Sequence, residues 1–354
     1  MVEFIITIKL DLGVFMATIK DIAERAGVST TTVSNVIHKN TKKVSPENME
    51  KINRLIKELG YELPQRNNLP HNDDCKLIAV VVNSHKLFEY SILADPFYGE
   101  MVGFIESYLR EAGYYMMLYT ASDVDDIFNM VTTWNVDGVI TITFSEANCE
   151  KLYSLINKPV ISIDAHEQKN KNSLVPNIGI DNHSGGYLMG RYLLEHGYEN
   201  ILICGNRDYG NDHLRWEGVR DAFRDFNSDI RRKMQFNIIG DSLEQRNKYY
   251  AELRRHIPFK TKTAAFFLSD FFAMEALSFL TSSGVRIPHD IGICGFDGLM
   301  YGSRWASPSL TTINQDIPKR AKTAVEVLIR SLTDESYTPE NITLGVVLLP
   351  RDSV

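Results

Sequence analysis

The sequence predicts an α/β protein: an N-terminal three-helix helix-turn-helix headpiece followed by a two-lobed α/β core. Three observations carry that expectation. Residues 18–60 show three short amphipathic helical periods separated by turn signals. From Lys76 onward, short β-branched runs alternate with longer helical periods, as parallel βαβ units do. That alternation passes through two consecutive series, which implies two similar lobes and a cleft.

The headpiece elements follow in order. Thr18 is placed to cap a first helix, with Asp21 three residues on. Ile22, Ala23 and Ala26 recur at helical spacing and face inward. Gly27 ends the helix, because a left-handed residue costs glycine little. Val28 packs under the turn, and Ser29 caps a second helix with Thr32 at its third position. Val33, Val36 and Ile37 form the buried stripe of that helix. Thr30, Thr31, Ser34, Asn35 and His38 are left on the other side. Ser45 caps a third helix, Pro46 takes its first position, and Met49, Ile52, Leu55, Ile56 and Leu59 make its apolar face.

A second helix whose outward face is small and hydroxyl-bearing fits the DNA major groove. Hydroxyls are also common on exposed helices, so the pattern alone leaves an ordinary three-helix bundle open. Here the chain resembles a known family. IKDIAERAGVSTTTVSNVI and VSPENMEKINRLIKELGY are similar, nearly position for position, to the headpiece of lactose-repressor/galactose-repressor regulators. The resemblance implies base contacts from Thr30, Thr31 and Asn35. It implies mostly phosphate contacts from Ser29, Thr32, Ser34 and His38, and Thr18 is expected to join them in binding DNA. Many members carry arginine at the position of Asn35. Asparagine pairs best with adenine and arginine with guanine, so an adenine preference is expected there.

Charge distribution agrees with contact at one end. The chain holds 38 Lys/Arg against 45 Asp/Glu, net −7, yet residues 17–70 hold nine Lys/Arg against six Asp/Glu. A mildly basic head on an acidic body suits a protein that touches phosphate only there. So small a positive charge binds weakly alone, so a homodimer on two half-sites of a near-palindromic duplex is expected.

In the core, strands are expected at LIAVVV (77–82), YYMMLYT, DGVITI (137–142) and PVISIDA (159–165). A second series follows: NIGIDN (177–182), NILICG (200–205), MQFNIIG, AAFFLSD (264–270), DIGICGFDG (290–298), TTINQD and NITLGVVLLP. The expected division is lobe one at 76–175 and 305–335 and lobe two at 176–304 and 336–354. Ligands in such sheets bind beyond the carboxyl ends of strands. Polar residues there are Asp164, Ser269-Asp270, Asp297 and Gln315. Arg215 lies near the start of a helix after NILICG, and Phe97 and Tyr98 open the first long helix. Carboxylates and arginine grip hydroxyls and aromatic faces cover C–H surfaces, so this set suits a sugar. Each also has a plain structural use, as turn, cap, ion pair or core.

Residues 76–354 look like the effector-sensing core of the same family, which is similar to periplasmic sugar-binding proteins. The landmarks are DPFYGEMVGFIE, DGVI, PVISID, DNHSGG, RWEGVRDAF, CGFDG, PSLTTINQ and LLPRDS. The resemblance implies effector contacts from Asp164, Arg215, Ser269, Asp297 and Gln315, with Phe97 or Tyr98. Ser269 stands where asparagine is usual. Family members carry a hinge helix between head and core whose leucine wedges the minor groove. Here residues 62–75 (ELPQRNNLPHNDDC) place Pro70 and Asn67-Asn68 in that stretch, with Leu69 as the wedge residue. A plain flexible linker remains the other reading.

Other classes are weaker. The sequence shows no Gly-rich phosphate loop, no His/Cys metal spacing and no evident nucleophile–base set, so neither cofactor nor catalysis is expected. A transport-type solute receptor would have no use for the headpiece. A regulator of the same fold answering to another metabolite or to a partner protein stays open. Cys75, Cys149, Cys204 and Cys294 lie far apart and read as free thiols of a cytoplasmic protein. Residues 1–16 (MVEFIITIKLDLGVFM) precede the point where the family's sequences begin, and are expected to be an extension or a mis-assigned start. No membrane-spanning run and no heptad tail is seen, which favours a dimer over a tetramer.

Overall fold

The computed structural model describes residues 19–37, 44–59, 76–83, 91–166, 173–205, 210–226, 235–236, 242–257, 259–300 and 302–354. The chain divides into two units, Met1–Cys75 and Lys76–Val354.

The first unit holds α1 (Ile19–Ala26), α2 (Thr30–Ile37) and α3 (Pro46–Glu58). Gly27 has φ 72°, and Val28 N–H closes the turn on the Ala23 carbonyl at 3.0 Å. The Ser29 hydroxyl accepts from Thr32 N–H at 3.1 Å, and Ser45 accepts from Asn48 N–H with Pro46 behind it. Ile22, Ala23, Ala26, Val33, Val36 and Ile52 form one buried cluster, with Val28, Met49, Leu55, Ile56 and Leu59 packed against it. That small core holds α2 so that its other face is outward. Thr18 and the side chain of Ile37 lie outside the described residues.

Among the described residues, the second unit contains two six-stranded sheets. The first is wholly parallel: β1 (Leu77–Asn83), β2 (Tyr115–Ala121), β3 (Gly138–Ile142), β4 (Val160–Ile163), β5 (Asn177–Ile180) and β11 (Ile342–Leu344), in spatial order β11-β5-β4-β3-β1-β2. The second has β6 (Asn200–Cys204), β7 (Gln235–Phe236), β8 (Thr263–Phe267), β9 (Gly292–Asp297), β10 (Thr311–Asn314) and β12 (Val347–Leu349), in order β12-β10-β9-β8-β6-β7. Only β12 runs antiparallel, on β10.

Helices cover both faces of each sheet, which is why central strands read as unbroken apolar runs. In lobe one, α4 (Pro96–Glu111) and α12 (Ile317–Thr333) bury Ile78, Val80, Val82, Ile140 and Ile161. On its other face α5 (Val124–Thr133) and α6 (Glu146–Ile156) bury Ala79, Val81 and Val139. In lobe two, α7 (Asn182–Glu195) and α8 (Gly210–Asp225) lie over Ile203, Phe266 and Phe296. The opposite face carries α9 (Leu243–Arg255) and α10 (Asp270–Ser282) over Leu202, Ala265 and Ile293. A short α11 (Gly302–Trp305) follows β9.

The sheets correct the sequence-based lobe boundaries. Residues 177–180 are a strand of the first sheet, not the opening of the second series, and 311–314 belong to the second sheet. The run 342–349 is two strands, β11 in one sheet and β12 in the other. The chain therefore crosses between lobes after β5, after β10, and between β11 and β12. Apolar periodicity shows that a strand exists but carries no record of its partner, which is a nonlocal choice. Of the expected strand MQFNIIG, Gln235–Phe236 is described as strand. Cys149, Cys204 and Cys294 are free and buried; Cys75 lies outside the described residues.

Candidate effector cleft and DNA-reading helix

On α2, Ser29, Thr30 and Thr31 are exposed and Thr32, Ser34 and Asn35 half-buried, with Val33 and Val36 turned inward. The first turn of a short helix thus presents hydroxyls, and the next an amide. His38 and Leu69, like the whole stretch 60–75, lie outside the described residues.

In the second unit the strand ends of both sheets meet in one polar network. β4 runs into Asp164 (φ 57°) and β9 ends at Asp297 (φ 147°). Asparagine and aspartate tolerate the first conformation, but the second is largely glycine's, so Asp297 is held against a backbone preference. Asp297 Oδ1 accepts from Gln315 Nε2 at 2.7 Å, and its Oδ2 accepts from the Ser269 hydroxyl and from Asp270 N–H, both at 3.0 Å. Gln315 Oε1 accepts from Arg320 Nη1 at 2.6 Å. Arg320 Nη2 forms an ion pair with Asp164 Oδ1, which also accepts from Asn211 Nδ2 at 3.2 Å. Arg215 Nε donates to Asn182 Oδ1 at 2.9 Å and its Nη1 to the Leu268 carbonyl. Its guanidinium lies 3.7 Å from the centroid of the Phe296 ring. Five of the predicted effector residues, Asp164, Arg215, Ser269, Asp297 and Gln315, are therefore gathered where the strand ends of the two sheets meet.

Comparison with known proteins accords with both halves. Residues 18–63 match the family described as bacterial regulatory proteins, lacI family, and residues 191–354 match a periplasmic binding protein-like domain. The transcriptional repressor PurR of Haemophilus influenzae is 30% identical over 327 residues, 90% of this chain and 92% of that one. The transcriptional regulator MalR of Clostridium butyricum is 31% identical over 349 residues, 95% of this chain and 98% of its own. Among solved structures, the regulator CelR in complex with cellobiose superposes with TM-score 0.68 at 26% identity, covering 96% of this chain and all of that one.

The chain belongs to the lacI family of bacterial regulatory proteins.

It is a helix-turn-helix transcriptional regulator with a periplasmic-binding-protein-like core, as its sequence resemblance implied. Its named relatives are regulators rather than enzymes. Among the described residues no His/Cys/Asp/Glu group could hold a metal ion, and no helix is long and apolar enough to cross a membrane.

Within this lacI-family cleft, burial governs the electrostatics. Desolvation pushes the Asp95 carboxyl up to about 6, against the Phe97 N–H bond that favours its charged form; nearby Asp270 raises it further. Burial likewise lifts Asp270 to about 6, although it accepts from Thr312, Leu299 and Gly298. Asp297 is raised well above the usual carboxylate range by burial, then by Asp270, with Arg215 opposing. Asp95 belongs to lobe one and the other two to lobe two, so acid groups face one another across the cleft.

The two aromatics part company. Phe97 is a correction: it is buried in the lobe-one core with Met101 and Ile105 rather than lining the cleft, because the first turn of α4 points it back at the sheet. Tyr98 meets it edge-on, centroids 5.1 Å apart. Burial raises the Tyr98 hydroxyl most, a hydrogen bond with Thr143 opposes it, and Asp95, Asp164 and Asp297 raise it further.

Sequence reasoning missed several members. Arg320 reads as an ordinary charge on an amphipathic helix, yet it is 0% exposed. Asn182 and Asn211 read as helix-start residues and Asp95 as a cap, while Asp270 stands among the polar residues beyond strand ends without entering the expected effector set. Asn83 ends β1 buried, and its Oδ1 has no hydrogen-bond partner. A buried acceptor left open at the carboxyl end of a strand marks a place for a donor. The available signal was position alone: Asn83 follows a strand, as Asp164 and Asp297 do.

Proposed function

We propose that this regulator is a repressor of carbohydrate-utilisation genes. It binds a near-palindromic operator as a homodimer and is tuned by a small neutral sugar in the interlobe cleft. The observation that carries the effector class is the network of Asp164, Asp297, Gln315 and Arg215, supplied by the strand ends and helix starts of both lobes. Carboxylates and Asn83 Oδ1 accept from hydroxyls, and the free edge of Arg215 donates to them. Arg215 covers one face of Phe296 and Phe97 is in the core, which leaves Tyr98 to cover a sugar's C–H surface. The regulator CelR was solved with cellobiose, which supports the same reading.

Ligand contacts to Asp164 on one lobe and Asp297 on the other favour the closed arrangement. A differential affinity of the two arrangements for DNA then sets operator occupancy. On the head, Thr30, Thr31 and Asn35 read bases, with Thr18, Ser29, Thr32, Ser34 and His38 at phosphates and Leu69 at the minor groove. The test is thermal denaturation of the full chain with cellobiose, maltose, ribose and a phosphorylated hexose. A neutral sugar should raise the core transition, by mass action, and the phosphorylated one should not. No stabilisation by any neutral sugar, with stabilisation by an anionic one, would overturn the assignment.

A further inference from the structure

We infer that Arg320 is the positioning residue of the cleft. It holds the two candidate effector carboxylates, one from each lobe, as a single hydrogen-bonded unit. The inference rests on Asp164 and Asp297 being effector residues, but its own content is the link between them.

Arg320 projects from the first turns of α12 and is wholly buried. Three separate groups receive its donors. Nε and Nη2 donate to the Ile178 carbonyl of β5 at 3.3 and 3.2 Å. Nη2 also meets Asp164, at the end of β4. Nη1 donates to Gln315 Oε1, in the segment that crosses from lobe two into lobe one. The bond to Gln315 fixes which end of that amide faces which neighbour. With Oε1 turned to Arg320, Nε2 must face Asp297, as it does at 2.7 Å. The path Asn211, Asp164, Arg320, Gln315, Asp297, Ser269 thus leaves lobe two, passes through lobe one and returns. A residue kept only to neutralise Asp164 would not need the fork that reaches Gln315 and Ile178. A planar guanidinium serves three acceptors at once, and a lysine ammonium on the same stem does not.

The experiment reads the link without any effector. In the full chain labelled on glutamine nitrogen, Gln315 is one of five glutamines, and its side-chain amide is assigned by loss of the signal in Q315E. Asp164→Asn should displace the Gln315 amide signals in the wild-type background. In R320K and R320L backgrounds the same D164N change should leave them in place, and both variants should themselves shift the Gln315 amide signals from their wild-type positions, because Oε1 loses its donor. R320K keeps the charge opposite Asp164 and is the variant expected to fold if R320L does not. If R320K transmits the D164N perturbation as fully as wild type, the residue is merely a counter-charge and the inference fails. It fails equally if D164N leaves Gln315 undisturbed in the wild type. These outcomes are independent of the sugar panel, so a wrong effector class and a wrong relay would be told apart.

Discussion

Replacing Gly186 by alanine tests how Arg215 is placed. Arg215 reaches its partners because α7 and α8 approach almost backbone to backbone. A Cβ on Gly186 would stand 1.8 Å from the Arg215 carbonyl oxygen, where ordinary contact begins at 3.4 Å. On the facing helix, a Cβ on Gly218 would stand 2.0 Å from the His183 carbonyl oxygen. Gly186→Ala must therefore push the helices apart by roughly 1.5 Å, since neither obstacle is a movable side chain. Overpacking of this kind costs about 1–3 kcal/mol, and backbone obstacles put it at the upper end. Helix propensity opposes with a gain of about 1 kcal/mol for alanine over glycine. The net loss of about 1–2 kcal/mol corresponds to a fall in Tm of roughly 2–8 °C for a core of this size. The control is Gly103 of α4, which is exposed with nothing within 4 Å of an added Cβ, so G103A should raise Tm by a few degrees at most. Calorimetry of the two variants beside wild type decides the matter. If G186A melts at or above wild type, propensity has won, the close approach is wrong, and the placement of Arg215 falls with it.

Arg215→Ala should abolish any sugar-induced rise in Tm while leaving operator binding intact. It should also cost stability of about 1–3 kcal/mol for each of Asn182 Oδ1 and the Leu268 carbonyl left without a donor, measured by urea titration. Ile52→Ala in the head removes a fully buried side chain and should cost about 2–4 kcal/mol. A three-helix unit so small would largely unfold, and operator affinity should vanish while the core transition stays put. Asp95 predicts a pH dependence. Its folded carboxyl titrates about 6, above its unfolded value of 3.8, so the folded state takes up a proton more readily and this group's penalty is full above pH 6 and relieved toward pH 4. Asp95→Asn keeps the bond to Phe97 N–H, so its stability advantage over wild type should be largest at pH 7 and shrink to nothing near pH 4. An advantage independent of pH would show that the carboxyl is not destabilised by burial.

Much of this was legible because local chemistry is local. Gly27, Ser29, Ser45 and Pro46 do in the structure what glycine, serine and proline do at helix ends anywhere, so the head could be drawn from its caps. The strand ends were equally readable, and with them Asp164, Asp297 and Gln315. What could not be read was partnership. NIGI and TTIN are interchangeable as strings, yet one pairs with β4 and the other with β9. Arg320 illustrates the same limit for the site. Five residues beyond Gln315 on an amphipathic helix, it looks solvated until the crossing after β10 brings α12 under Asp164. Phe97 and Tyr98 are neighbours of similar character, and only the packing of α4 decides that the first is buried in the core cluster and the second half-buried against it.

The most direct measurement is operator affinity of the full chain, against a duplex selected from random DNA, with and without cellobiose or maltose. The account predicts enrichment of a two-fold symmetric site and at least a tenfold change in affinity with one neutral sugar, about 1.4 kcal/mol of coupling. Selection that returns no preferred sequence, or a preferred duplex whose affinity no neutral sugar alters, would contradict it.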